Sequence, residues 1–171
     1  MVFQTRIVVV YGASGTGKTS LIQCGLANKF QSYDWLDLYV RRGTNIIAAL
    51  DRILCEESDG AFVYPEEVCP EGVCPVGVSP GIEHLEKKIE AVYKEYSKPI
   101  YLIFDQFEEL YVQDRNTSKV QEQQQFVQVI KDLLQLDFPL KIILSIREEY
   151  LGHLFHFEQE VPELLRKKLR V

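Results

Sequence analysis

Along the chain, short runs that are apolar at nearly every position alternate with stretches in which apolar residues recur every three to four positions. RIVVVY (6–11), WLDLYV (35–40), the run at 100–104 and LKIILSI (140–146) are of the first kind. Runs of this length predict strands, and their lack of polar alternation predicts burial on both faces. Helical spacing appears in TSLIQCGLANKF after a glycine-rich turn, and in TNIIAALDRILCEE (44–57), where Thr44 is the predicted cap. It returns in GIEHLEKKIEAVYKEY (81–96), with Ile82, Leu85, Ile89, Val92 and Tyr93 on one side and Lys98-Pro99 as the stop. A polar loop, QDRNTS, leads to a long helix near 118–136, and a final helical region covers roughly 148–168. Strands alternating with helices predict an α/β fold: a three-layer α/β/α sandwich on a mostly parallel sheet of about five strands.

The 171 residues fit a single domain, and a hydrophobic fraction of 46% supplies a core that needs no disulfides. One segment breaks the pattern. Residues 57–81 read as an irregular insertion, and its second half is a five-residue near-repeat, VCPEG-VCPVG-VSPG. Pro70, Pro75 and Pro80 forbid a helix there. Cys69 and Cys74 lack a third and fourth ligand for zinc: Ser79 stands at the third repeat position, and His84 is the only histidine nearby. With Cys24 and Cys55 they read as reduced thiols, and with no secretory leader or membrane-length apolar run the expected location is cytoplasmic. A net charge of -6 weighs against membrane or nucleic-acid contact by this chain.

The chemistry begins at the first strand. GASGTGKT, Gly12 to Thr19, fits the spacing G-x-x-x-x-G-K-[ST], with an apolar strand before it and a helix after it. The glycines let consecutive amides turn inward, so the N–H groups of Gly12, Ala13, Ser14, Gly15, Thr16, Gly17, Lys18, Thr19 and Ser20 form the candidate phosphate cradle. The following helix adds its positive end, and Lys18 an ammonium. Thr19 supplies a hydroxyl for Mg²⁺.

A magnesium site beside such a loop needs a second oxygen donor at the end of a neighbouring strand. Asp105, which closes the apolar run at 100–104, is the candidate. The residue after it is Gln106, where many ATPases carry the glutamate that activates water. Glu108 and Glu109 follow. If the segment turns helically, position +3 returns to the side of Asp105, which favours Glu108; one step of register would exchange the two. Arg147 leaves the last long strand at the same edge, where a buried guanidinium would sense a γ-phosphate. Arg41 and Arg42 read as a solvated loop pair, and His153 and His156 as packing or surface residues.

Taken together, GASGTGKTSL (12–21), DQFEEL (105–110) and SIREEYLGHL (145–154) resemble the STAND class of P-loop NTPases, in particular the bacterial novel STAND ATPase domains. Related NACHT domains carry D-G-h-D-E, with acids three and four places past the aspartate, which is the spacing of Asp105, Glu108 and Glu109. The resemblance covers most of the chain outside the near-repeat. It implies ATP and ADP rather than GTP as ligands, with Mg²⁺. It also implies slow hydrolysis coupled to a signalling switch, Arg147 as sensor, and partners in effector and sensor domains or a nucleotide-dependent oligomer. The family's segment before the first strand is missing and LRKKLRV stands where its last strand would begin, so the expectation is a core excised from a larger protein, with weakened or absent turnover. The competing readings are a nucleotide-dependent interaction module without hydrolysis and an AAA+-type replication-initiator ATPase.

Overall fold

The computed structural model describes residues 5–27, 34–58, 82–112 and 117–171. The insertion, with Cys69, Cys74 and the near-repeat, lies outside the described residues apart from Glu57 and Ser58. Five strands, β1 (Ile7–Gly12), β2 (Leu36–Arg41), β3 (Ile100–Asp105), β4 (Leu140–Arg147) and β5 (Lys168–Arg170), form one parallel sheet in the order β2-β3-β4-β1-β5. The helices are α1 (Lys18–Ala27), α2 (Ile46–Glu57), α3 (Ile82–Tyr96), α4 (Thr117–Gln135) and the single turn α5 (Phe155–Glu158). None of the described helices is long and apolar enough to cross a membrane.

The strand alternation explains the layers. Ile7 and Val9 of β1, Leu102 and Phe104 of β3, and Ile142 and Leu144 of β4 join α2, α3 and α4 in the larger core cluster. Val8, Val10, Ile103 and Ile143 point to the other face, with Ile22 of α1 and Trp35. Both faces are therefore covered where the strands are apolar throughout, as the sequence predicts. The edge strand β2 is mixed instead, with buried Leu38 and Val40 on either side of half-buried Tyr39 and exposed Asp37 and Arg41 flanking them.

Three expectations about the elements need correction. Asn45, not Thr44, caps α2: its backbone is extended (φ -153°, ψ 130°) and its side chain accepts from the N–H groups of Ile47 and Ala48. Thr44 sits in the turn formed with Gly43, whose φ is +55°. The region after β4 is not a long helix. It is a 3-10 stretch (Glu148–Leu154), the short α5 and then a series of turns that includes Pro162, which has no N–H to donate. Within LRKKLRV, Lys168–Arg170 then pair with Val9–Tyr11 as a fifth strand. The polar loop is also shorter than expected, since Thr117 and Ser118 already belong to α4.

Charges hold the layers in register. Arg6 donates to the carbonyls of Leu134, Leu136 and Phe138 at 2.6, 2.6 and 2.8 Å, closing the C-terminal end of α4 onto the start of β1. Lys88 of α3 is fully buried inside the apolar stripe and pairs with Asp51 of α2. Arg42 is not solvated: it makes a two-pronged contact with Glu122 of α4, at 3.0 Å from Nε and 2.6 Å from Nη2. The backbone N–H of Ile46 donates to the same carboxylate at 2.7 Å, so Glu122 also serves the positive end of α2.

Arg42→Met should leave Glu122 buried with only the Ile46 amide, a loss of ~3 kcal/mol in urea unfolding. Arg52→Met, which breaks an exposed i,i+4 pair with Glu56, should stay within about 0.5 kcal/mol.

Candidate functional site

All candidate groups hang from the C-terminal ends of the strands. The register aligns Gly12 with Arg147 and Arg41 with Asp105. Because side chains alternate, Arg41, Asp105, Ser145 and Arg147 share the parity of Tyr39, Ile103 and Ile143, the face carrying α1. They meet the Gly12–Thr19 loop around a cavity of about 280 Å³ lined by Ser14, Gly15, Gly17, Lys18, Thr19, Ser20, Asp105, Gln106, Glu108, Ser145 and Arg147.

The loop owes its path to glycine at two positions. Gly15 (φ +77°) and Gly17 (φ +82°) adopt left-handed backbone that other residues resist. At Gly12 the constraint is space, since a Cβ would stand 2.6 Å from the Val171 carbonyl oxygen and 2.9 Å from Thr16 Oγ1. Thr16 ties the loop together by donating its hydroxyl to the Ala13 carbonyl at 2.9 Å. The Lys18 ammonium donates to the carbonyls of Gly12 and Ala13 at 2.9 and 2.8 Å, which keeps it at the mouth of the loop.

Asp105 is buried and doubly held. Thr19 donates its hydroxyl to Oδ1 at 3.0 Å, and Arg41 donates to Oδ2 at 3.0 Å. Arg41 is 61% exposed, yet it is committed to this carboxylate, contrary to the expected solvated pair. Past Asp105 the chain turns through Gln106 in left-handed geometry into a 3-10 turn, Phe107–Leu110. Phe107 and Leu110 anchor that turn in the core. Glu108 is buried and lines the cavity; Glu109 is half-buried and does not. The turn therefore separates the two acids that the sequence left open. Both oxygens of Glu108 are engaged by Arg147: Oε1 accepts from Nε at 3.0 Å, and Oε2 accepts from the backbone N–H at 3.2 Å. Arg147 itself is 45% exposed rather than buried. It leaves the strand end at the rim, where solvent and a ligand can both reach it.

The oxygen donors Thr19 and Asp105, 3.0 Å apart beside an open cavity, suit a hard cation such as Mg²⁺. Ser145 was missed from sequence. It is buried, lines the cavity, and stands two residues before Arg147 on the same strand face, a period-two signal that was available. His153 stacks on Tyr111 with ring centroids 4.8 Å apart, which accounts for it as a packing residue.

With this geometry in place, comparison with known proteins places the chain. Residues 1–171 match the family described as Novel STAND NTPase 1, nSTAND1. The chain belongs to this family. Its fold is that of the P-loop ATPases: an Aeropyrum pernix ORC2 protein, solved as ADPNP–ADP complexes, superposes with a TM-score of 0.58 at 16% identity over 98% of this chain and 41% of that one. The Aeropyrum pernix ORC1 protein, solved in complex with DNA, gives 0.53 at 14% identity over 95% and 38%. The nSTAND1 chain thus spans about two-fifths of the length of these structures. No curated protein matches it in sequence. The nSTAND1 assignment makes this a nucleotide-binding, ATPase-like domain.

Tyr39 sits beneath Arg41 on the same strand face, and its buried hydroxyl has no hydrogen-bond partner among the described residues. Burial pushes its pKa up to about 12 from the ordinary 10.0, and Asp37, Asp105 and Cys24 push the same way. Between pH 10 and about 12 the unfolded chain has lost this proton and the folded chain keeps it, so folding stability falls as pH rises through that window and is whole below it. Tyr39→Phe should be as stable as wild type at pH 7, or slightly more so, and its advantage should widen at pH 11. Tyr101 and Tyr111, also raised by burial, titrate in both proteins, so the difference in urea midpoints isolates Tyr39.

Proposed function

We propose that this chain is an ATP-binding, slowly hydrolysing, Mg²⁺-dependent switch domain. The observation that carries this reading is the convergence of Lys18, Thr19, Asp105, Glu108 and Arg147 on one cavity. The amides of the loop and the N-terminus of α1 hold the phosphates, and Lys18 swings from its two carbonyls to the β,γ-bridge. Thr19 and Asp105 hold the metal, with Arg41 neutralising the carboxylate oxygen that Thr19 does not use. Mg²⁺, when bound, screens the phosphate charge that develops during transfer. Glu108 is the general base that orients water toward the γ-phosphate, and Arg147 reads that phosphate.

The Glu108–Arg147 pair supports slow turnover. A carboxylate engaged at both oxygens is a poor base until its arginine moves to a phosphate. Binding of ATP then exchanges one charge pair for another and frees Oε1 of Glu108, with Oε2 still on the Arg147 backbone N–H, while loss of the γ-phosphate restores the pair. That exchange gives a signalling element with two states. The expected readers are further domains of a longer chain, or neighbouring copies. The same pair is what favours the second reading, an interaction module in which Glu108 never becomes free and nucleotide occupancy alone is the signal. A DNA-handling role shares only its fold with the ORC proteins, and the net charge of -6 weighs against it.

Lys18→Ala is expected to abolish ATP binding in calorimetry. Glu108→Gln should bind ATP normally and lose roughly 10²-fold or more of its turnover, whereas Glu109→Gln should stay within a few-fold of wild type. A loss confined to Glu109→Gln would move the base to that residue. Binding without any wild-type turnover would replace the ATPase reading by the interaction module.

A further inference from the structure

Two described residues other than glycine have positive φ: Ser97 (+52°) and Gln106 (+55°). Ser97 has a plain reason for it. It directly follows α3, and its N–H returns to the Tyr93 carbonyl at 2.8 Å, a left-handed helix ending. Gln106 makes the corner between β3 and the 3-10 turn with its backbone alone: its carbonyl accepts from the Glu109 N–H at 3.0 Å. The side chain does not cap that turn, and it makes no hydrogen bond to any described residue. Glycine would make the same corner without the penalty an L side chain meets in this conformation. The carboxamide is therefore surplus to the turn, and Gln106 is an exposed residue of the cavity lining that also includes Asp105, Glu108, Lys18 and Arg147.

The chemistry of the position narrows what it does. The cavity already holds two carboxylates, and a third at residue 106 would repel a phosphate. A neutral amide offers two N–H donors with no added negative charge. We propose that Gln106 is a specificity-determining residue whose carboxamide donates to the terminal phosphate of a bound nucleoside triphosphate, so that it favours triphosphate over diphosphate. This rests on the site being a nucleotide site, as read above.

The test is calorimetry on the full chain with Mg²⁺, using ADP and a β,γ-imido ATP analogue, together with thermal melting. In Gln106→Gly the melting temperature should hold or rise by a degree or two, since the corner loses its strained side chain. Analogue affinity should drop about tenfold or more, the usual worth of a hydrogen bond to a charged group, while ADP affinity stays within twofold. Gln106→Glu should lose still more analogue affinity. Equal shifts for both nucleotides, or no shift at all, would overturn the proposal, as would a melting point several degrees lower, which would make the side chain a fold element. Lys18→Ala separates the two readings. If wild type binds both nucleotides and Lys18→Ala neither, the site stands whatever Gln106 does; if wild type binds neither, both readings fall.

Discussion

Parallel strands that stop at one level put Gly12, Arg41, Asp105 and Arg147 on a single edge, and every candidate group depends on that alignment. A one-residue slip of β3 against β2 would turn Asp105 to the α2 face and separate it from Thr19. The slip is prevented by packing, since Leu102, Phe104, Leu38 and Val40 fill the larger cluster and Ile103 the smaller one. Apolar burial on two faces thus fixes the position of the Asp105 carboxylate. Central strands of this kind have no solvated face on which to shift.

The edge gathers charge, and the structure answers it with partners. Asp105 is met by Thr19 and Arg41, Glu108 by Arg147, and Glu122 by Arg42 and the Ile46 amide. These pairs do different work. Glu122 and Arg42 are both largely out of solvent, so separating them is costly and their contact is a fixed joint between β2, α2 and α4. Arg41 and Arg147 are 61% and 45% exposed, so their guanidinium groups reach solvent and a ligand while Asp105 and Glu108 stay buried. The exposed partners are the ones that can leave, and both of them touch the acids of the cavity. The same distinction separates the scaffold from the groups proposed to respond to nucleotide.

Much of this is legible in the sequence. The loop GASGTGKT reports itself because glycine spacing, lysine and threonine are each required by one local conformation, and Gly15 and Gly17 do take positive φ. The apolar runs reported a doubly covered sheet. DQFEEL placed the acids but not their directions, because the choice between Glu108 and Glu109 is made by a left-handed residue, Gln106, that sequence spacing does not reveal. The long-range pairs were invisible for a related reason. Arg42 and Glu122 are 80 positions apart, and Lys88 and Asp51 are 37 positions apart on different helices. The strand at Lys168–Arg170 is three exposed residues with no apolar run to announce it; its backbone pairing with β1 makes it a strand. Hydrophobic pattern carries local periodicity, and these features are set by tertiary contact.

The central claim is that one site at this edge holds nucleotide with its metal. Amide hydrogen exchange of the full chain with and without ATP and Mg²⁺ tests it most directly. Protection is expected at the amides from Ala13 to Ser20 together with those of Gln106 to Glu109 and Arg147, and the second group should lose it with ADP. Protection confined to other parts of the chain, or none at saturating nucleotide, would contradict the claim.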